Sequence, residues 1–200
     1  MALAIDPSRD ALVVVDVQID FCPGGSLGVP DGHAVVPVLN AYAARFQAAG
    51  APVFASRDWH PARTKHFQSD GGVWPPHCVQ GTPGAEFHPE LALPDGAIII
   101  SKGHDPEEDA YSCFHAETED GMPFAAALGE RGVNRLFVGG LATDYCVRAT
   151  ALDALKEGFE VVVLEDASRA VDLNAGDGER AMAEIIAAGA RRARLSDLAA

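Results

Sequence analysis

Short apolar runs alternate with stretches of helical periodicity along most of the chain. Residues 11–15 (ALVVV) are apolar and mostly β-branched, which predicts a strand buried on both faces. From 33 to 49 the apolar residues recur at the spacing of an amphipathic helix, and Gly50 follows as a stop signal. Downstream, the same alternation predicts strands at 52–56, 97–101, 136–138, 159–164 and 191–195, and helices at 123–131, 143–157 and 174–188, the last capped by Asn174.

Strands that alternate with helices favour a mostly parallel sheet with right-handed crossover connections. We therefore predict the α/β class, as a single three-layer α/β/α domain over residues 1–200 with a sheet of about six strands. No internal repeat or low-complexity linker divides the chain. The segment 57–96 shows neither the helical nor the strand pattern and is rich in Pro, Gly, His and Trp. Irregular segments of that length inside a domain usually carry function.

Composition and charge narrow the classes of function. The chain has 200 residues, 48% of them hydrophobic, which fits one globular domain with a sizeable core. Its net charge is −14, so it lacks the basic face that nucleic acid binding requires. No apolar run reaches membrane-spanning length, and the N-terminus lacks the features of a signal peptide. The four cysteines form no C-x-x-C pair, and a chain of this size needs no disulfide bonds, so we expect a cytoplasmic location. From the net charge and the lack of a long apolar run, we expect neither a nucleic acid nor a membrane partner.

Chemically reactive side chains follow four of the predicted strands. Asp16, the region of Asp58, Lys102 and Cys146 each come just after a different strand. Ligands of parallel sheets bind beyond the carboxyl ends of the strands, where the strand order reverses. The sequence therefore predicts that these groups meet at one edge of the sheet.

Cys146 lies in the first turn of the predicted helix 143–157, shortly after a pair of glycines. Unpaired N–H groups and the positive end of the helix dipole favour a thiolate there, and they can also hold an oxyanion. A desolvated carboxylate such as Asp16 can act as the base for the thiol, and Lys102 can stabilise negative charge. The alternative is an ion pair at the edge of the sheet beside an inert, buried cysteine.

The irregular segment contains a cluster of residue types that bind metals. Asp58, His60, His66 and His77 share a loop-rich window, and one carboxylate with three imidazoles suits a divalent metal such as Zn, Fe or Mn. The alternative is that these histidines are solvated loop residues. The acidic side chains between 105 and 120 are typical of a solvated loop. The remaining histidines, which we also interpret as surface residues, are His33, His88, His104 and His115.

Motifs of several other enzyme classes are absent from the sequence. It contains no G-x-x-x-x-G-K-[ST] phosphate-binding loop and no G-x-G-x-x-G after the first strand. The glycines at 24, 25 and 28 have the wrong spacing for a dinucleotide site. No G-x-S-x-G elbow presents a serine nucleophile.

Taken together, these features resemble the nicotinamidase branch of the isochorismatase-like cysteine hydrolases. The resemblance covers nearly the whole chain in family order, and the combination is specific although its single pieces are not. The matching segments are VDVQIDF at 15–21, GGSL at 24–27, DWH at 58–60, His66, WPPHC at 74–78, KG at 102–103, YS at 111–112 and GLATDYCV at 140–147.

The resemblance implies a catalytic triad of Asp16 as proton shuttle, Lys102 as electrostatic partner and Cys146 as nucleophile. It implies a cis peptide bond before Ala142 and an oxyanion hole formed by the backbone N–H groups of Ala142 and Cys146. It further implies one divalent metal ion, Zn, Fe or Mn, as the cofactor. The implied metal ligands are Asp58, His60, His66 and His77.

The implied reaction is hydrolysis of nicotinamide to nicotinate and ammonia through a cysteine thioester, as part of NAD salvage, with pyrazinamide as a further candidate substrate. Phe21 and Trp74 match positions that sandwich the aromatic ring, and we also place Leu141 and Tyr145 at the substrate. Tyr145 departs from the histidine that often precedes the cysteine, which bears on the pocket wall rather than on the triad.

Two alternatives stay open from the sequence. One is a related amidohydrolase that acts on another small amide or carbamoyl compound. The other is a non-enzymatic metabolite-binding module of the same fold, because fold alone does not determine function. The sequence also leaves open whether the chain forms homo-oligomers.

Overall fold

A seven-stranded sheet with helices on both faces forms the centre of the computed structural model, which describes residues 3–199. The strands are β1 (Asp10–Val15), β2 (Val53–Asp58), β3 (Ile98–Lys102), β4 (Glu117–Thr118), β5 (Arg135–Leu141), β6 (Glu160–Arg169) and β7 (Arg191–Ala193). The helices are α1 (Val35–Ala49), α2 (Phe124–Gly129), α3 (Arg148–Lys156) and α4 (Asp177–Ala187). Within this described range, no helix is long and apolar enough to cross a bilayer. The predicted α/β class and three-layer arrangement are confirmed, while the predicted limits 1–200 include residues 1, 2 and 200, which lie outside the described residues.

The order of the strands reverses at the middle of the sheet. It runs β4-β3-β2-β1-β5-β6-β7, and all neighbouring strands are parallel except β4, which is antiparallel to β3. The chain adds β2 and β3 on one side of β1, then crosses back to place β5 on the other side. The reversal therefore falls between β1 and β5, which is where open sheets of this class bind ligands.

The central strand β1 is buried along its whole length. Leu12 and Val14 pack into one apolar cluster with α1, whereas Ala11, Val13 and Val15 pack into a second cluster with α2, α3 and α4. Side chains of a strand alternate between the two faces of a sheet, so each face has its own core. The strand predicted at 11–15 is therefore buried on both faces, as its composition indicated.

Two strands run further than predicted, β5 to Leu141 instead of 138 and β6 to Arg169 instead of 164. The structure also differs from the sequence-based expectation at three other elements. The sheet has a seventh strand in the described range, β4, whose two residues lie in a segment that we interpreted as loop and are too few to show an alternating pattern. The helix predicted from 143 begins with a π-helical turn, Thr143–Val147, before α3. The helix predicted from Asn174 begins only after Gly176, whose left-handed φ of 84° is incompatible with a helix interior.

Candidate active site

Four buried polar side chains meet at the carboxyl edge of the sheet. β2 ends at Asp58 and β3 at Lys102, while Asp16 follows β1 and Cys146 follows β5. Each of the four is at most 5% exposed. Side-chain oxygens of Asp16 and Asp58 and the sulfur of Cys146 lie within 4.8 Å of one another. The structure thus brings together the groups that the sequence places after separate strands.

Close contact between the backbones of β1 and β5 supports this arrangement. Gly140 of β5 pairs with Val15 of β1 and has a φ of 135°. A Cβ atom at Gly140 would lie only 2.1 Å from the carbonyl oxygen of Val15, so only glycine allows this approach. The residues that follow the two strands, Asp16 on one and the segment leading to Cys146 on the other, therefore begin from adjacent backbone positions.

Lys102 connects the other three groups. Its Nζ lies 2.8 Å from Asp16 Oδ2, forms an ion pair with Asp58 and lies 3.5 Å from Cys146 Sγ. Burial alone would lower the pKa of this lysine, but the two carboxylates outweigh burial and raise the pKa well above its ordinary value. The ammonium group therefore stays charged in the interior, where it can stabilise negative charge on the nearby sulfur.

Asp16 is held in a constrained conformation beside the thiol. Its backbone has a left-handed φ of 48°, which residues other than glycine rarely adopt. Ser56 donates a hydrogen bond from Oγ to Asp16 Oδ1 at 2.7 Å. Burial raises the pKa of Asp16, although Lys102 acts in the opposite direction. A carboxylate with a raised pKa is a better proton acceptor for a thiol.

Cys146 lies in the π-helical turn that precedes α3. Burial raises the pKa of Cys146 well above its ordinary value, against the opposing effect of Lys102. Desolvation therefore acts against the thiolate that the helix start is expected to favour. The peptide bond between Leu141 and Ala142 in the preceding segment is cis, as the resemblance implies.

Three histidine rings gather beside Asp58. Candidate ligand nitrogens of His60, His66 and His77 lie within 4.8 Å of one another. The Asp58 Oδ2 atom lies 3.6 Å from His60 Nε2 and 3.9 Å from His77 Nε2. All four residues are at most 4% exposed. The four residues that the sequence singles out as candidate metal ligands therefore form one buried cluster.

The outer nitrogens of the three rings have hydrogen-bond partners. His60 Nδ1 lies 3.2 Å from the carbonyl oxygen of Gly103, His77 Nδ1 lies 2.7 Å from that of Pro75, and His66 Nδ1 contacts Asp109. A Cβ at Gly103 would lie 2.5 Å from His60 Cε1, so the ring is seated directly against this glycine. These contacts leave Nε2 of each ring available to a ligand.

The chemistry of the cluster fits a divalent metal ion. His60 Nε2 is fully buried without a hydrogen-bond partner among the described residues, which is costly unless a further group binds it. Burial lowers the pKa of His77 to about 4 and also lowers the pKa of His66, so both rings are neutral, the form that binds metals. Burial would raise the pKa of Asp58, but Lys102 and His60 hold it below its usual range. One carboxylate and three imidazoles suit zinc and similar ions.

A small pocket opens between this cluster and the thiol. The space free of protein atoms, including the part open to solvent, is about 340 Å³. Trp74 donates a hydrogen bond from Nε1 to the hydroxyl of Tyr111 at 2.9 Å, and its ring packs edge-on against Tyr145. The residues that line the pocket are Phe21, Leu27, Asp58, His66, Trp74, His77, Tyr111, Ala142, Tyr145, Cys146 and Val171.

The placement of Leu141 at the substrate is wrong. Leu141 is fully buried in the apolar cluster under α1 and is not one of the lining residues. It is the last residue of β5, and the residue that reaches the pocket is its neighbour Ala142. Leu27, Tyr111 and Val171 also line the pocket. Leu27 and Tyr111 lie in segments that carry the resemblance, but we selected none of the three as a site residue from the sequence.

Two further polar side chains form hydrogen bonds to the backbone of residues at the site. Gln18 pairs with the backbone of Asp58 in both directions, since its Oε1 accepts from the N–H and its Nε2 donates to the carbonyl, each at 2.8 Å. Asp144 accepts hydrogen bonds from the N–H groups of Val171 and Asp172, each at 2.9 Å. The first contact fixes a candidate metal ligand, and the second holds Val171 in the pocket wall.

Asp109 is a functional candidate that we interpreted as part of a solvated acidic loop. Its carboxylate contacts His66 Nδ1, and neighbouring Glu107 forms an ion pair with Lys65. The contact joins residues that are 43 positions apart. No local spacing or periodicity in the sequence could have revealed it.

Several known proteins are similar to this chain in sequence and structure over most of its length. An isochorismatase domain model matches residues 10–195. The nicotinamidase of Escherichia coli is 40% identical over 94% of this chain and 95% of its own length. A Pyrococcus horikoshii pyrazinamidase solved in complex with zinc is 47% identical, with a TM-score of 0.86, over 94% of this chain and 99% of its own. An L. infantum protein solved in complex with nicotinate is 37% identical, with a TM-score of 0.88, over 100% of this chain and 99% of its own.

Proposed function

Because this chain belongs to the isochorismatase family, we propose that it hydrolyses nicotinamide to nicotinate and ammonia. The observation that carries the proposal is a single small pocket that contacts both the Cys146 thiol and the buried cluster of one aspartate and three histidines. A thiol beside a base can attack an amide, and the second cluster can hold a metal that recognises the ring of the same substrate. Both requirements of nicotinamide hydrolysis are thus present in one place.

Asp58, His60, His66 and His77 would hold the divalent metal ion. When bound, the ion supplies a Lewis acid that recognises the pyridine nitrogen and so orients the ring. Phe21 and Trp74 line the same pocket and present apolar surface to the two faces of the ring. Pyrazinamide also carries an aromatic ring nitrogen and a carboxamide, so we expect it to be a second substrate.

The covalent chemistry belongs to the chain's own triad. Asp16 accepts the proton of the Cys146 thiol, and the sulfur attacks the carboxamide carbon. Lys102, 3.5 Å from the sulfur, stabilises the negative charge of the nucleophile. The backbone N–H groups of Ala142 and Cys146 donate to the carbonyl oxygen as it becomes an oxyanion. Asp16 then protonates the amide nitrogen, which departs as ammonia. A thioester between Cys146 and the acyl group remains.

Hydrolysis of the thioester completes the cycle. A water molecule takes the place of ammonia, gives its proton to Asp16 and attacks the thioester carbon. The Cys146 sulfur leaves, recovers a proton and nicotinate is released. The same carboxylate therefore acts twice as base and twice as acid, which its raised pKa favours.

The proposed reaction returns nicotinamide to the synthesis of NAD, and we propose this salvage role in the cytoplasm. A nucleophilic thiol must stay reduced to work, which a reducing compartment ensures. The four cysteines of the described residues are all free. This supports the cytoplasmic placement.

Ammonia release from nicotinamide tests the proposal directly. Purified protein loaded with Zn, Fe or Mn is mixed with nicotinamide, and both ammonia and nicotinate are quantified. Benzamide, which has the same carboxamide but no ring nitrogen, is the matched control. We expect turnover of nicotinamide and at least about 10²-fold lower kcat/KM for benzamide, because the metal then loses its partner on the substrate. Metal-loaded protein that hydrolyses another amide but not nicotinamide would move the chain to a different amidohydrolase activity.

Replacing His60 with alanine is expected to weaken metal binding and raise the KM for nicotinamide. The substitution removes one of four donors, so metal affinity should fall by more than about 100-fold. Metal content after dialysis and steady-state kinetics measure the two effects. The exposed His33, changed to alanine, is the control and should alter neither. Full metal content and unchanged KM in the His60→Ala protein would contradict the ligand assignment.

A further inference from the structure

The loop that carries the metal ligands is joined to a second loop by a series of contacts. We call residues 60–78 the histidine loop and residues 105–111 the acidic loop. Lys65 donates from its backbone N–H to the carbonyl of Pro106 at 2.8 Å, and its ammonium group forms an ion pair with Glu107. Further along, Trp74 donates to Tyr111 at 2.9 Å. The acidic loop therefore lies against the histidine loop at both of its ends.

Between these two contacts, Asp109 reaches the ring of His66. The two side chains differ sharply in exposure, at 61% for Asp109 and 4% for His66. The Asp109 carboxylate therefore approaches the buried ring from the solvent side and contacts Nδ1. The opposite nitrogen, Nε2, is left to face the cluster.

His66 differs from the other two histidines in the chemistry of its partner. The Nδ1 atoms of His60 and His77 are paired with the backbone carbonyls of Gly103 and Pro75. Among these three rings, only His66 has a carboxylate partner at Nδ1. A carboxylate accepts the Nδ1 proton more strongly than a carbonyl does, which fixes the ring tautomer and makes Nε2 a better metal donor.

We propose that Asp109 is a positioning residue that orients His66 and strengthens its bond to the metal. The proposal rests on the metal site of the proposed function. It assigns a role to the acidic loop, which holds this carboxylate against the histidine loop through the contacts of Lys65 and Trp74. Asp109 is not among the residues that line the pocket, so its effect on turnover should pass through metal occupancy alone.

The proposal is tested by measuring zinc affinity, with a chromogenic chelator as competitor, for a set of matched variants of the full chain. Asp109→Ala removes the hydrogen bond, and Asp109→Asn keeps an acceptor without the charge. Glu108→Gln makes the same change of charge in the same loop, at a side chain with no hydrogen bond or ion pair among residues 3–199. His66→Ala reports whether His66 is a ligand at all.

We expect Asp109→Ala to weaken zinc binding by about 10- to 100-fold, Asp109→Asn to fall between this variant and the wild type, and Glu108→Gln to stay within about twofold. Saturating zinc should restore nicotinamide hydrolysis in Asp109→Ala, which a damaged fold would not allow. Unchanged zinc affinity in both Asp109 variants, with weakened binding in His66→Ala, would overturn the role of Asp109 and leave the metal site standing. Unchanged affinity in His66→Ala as well would overturn the ligand assignment on which the proposal rests.

Discussion

The Cys146→Ala variant is expected to hydrolyse nicotinamide about 10⁴- to 10⁶-fold more slowly than the wild type. The sulfur is the atom that forms the thioester, and alanine offers nothing in its place. Asp16 and Lys102 remain, but a base and a cation without a nucleophile can only assist direct attack by water. The loss should therefore appear in kcat, while the metal and the aromatic side chains continue to bind the ring.

The substitution removes a single buried atom, so the fold should tolerate it. Cys22 provides a matched control because it is also free and 5% exposed, but lies in the apolar cluster under α1. We expect Cys22→Ala to keep near-wild-type turnover and Cys146→Ala to keep its bound metal. Ammonia release and metal content, measured on the same preparations, separate loss of chemistry from loss of structure. Turnover retained in Cys146→Ala would exclude the covalent route.

Replacing Lys102 with methionine is expected to reduce both activity and stability. The side chain is 1% exposed, and its Nζ is the cation between the carboxylates of Asp16 and Asp58. Methionine fills a similar volume but leaves two negative charges facing each other in the interior. Removing one partner of a buried ionic group costs about 3–5 kcal/mol of unfolding free energy. Loss of the charge beside Cys146 should lower kcat by a further factor of about 10²–10³.

Urea unfolding of metal-loaded protein measures the change in stability, and kinetics well below the transition measure the change in activity. Lys156→Met is the control, because Lys156 is 74% exposed and pairs with Asp153 on the surface of α3. Exposed pairs contribute at most about 1 kcal/mol, so this variant should unfold close to the wild type. If Lys102→Met unfolds at the same urea concentration as Lys156→Met, the buried cation does not hold the two carboxylates as described.

The candidate triad illustrates how far sequence reasoning extends. Asp16, Lys102 and Cys146 each follow an apolar run that reads as a strand, and parallel strands bring their carboxyl ends to one edge. This rule is enough to expect the three groups close together. The distances of 2.8 Å from Lys102 Nζ to Asp16 and 3.5 Å to Cys146 agree with that expectation. The cluster of His60, His66 and His77 was also predicted from the sequence, for a different reason. Its members lie near one another in the chain.

The direction in which the pKa of Cys146 shifts could not be predicted from the sequence. The position of the thiol near a helix start suggests a lowered pKa, whereas burial in the folded chain raises it. Burial depends on which segments cover the sulfur, and those segments come from distant parts of the chain. The raised pKa of Cys146 is therefore a consequence of tertiary packing.

The residue pattern alone predicts the layered α/β class, the strand ends that carry the candidate triad and the set of candidate metal ligands. These features depend on short-range periodicity and on the rule that parallel strands align their ends. The folded chain was needed to show that β4 completes the sheet, that Leu141 belongs to the core and that Asp109 contacts His66. Each of these depends on a pairing or contact between segments far apart in the chain, and such contacts leave no periodic trace in the residues that make them.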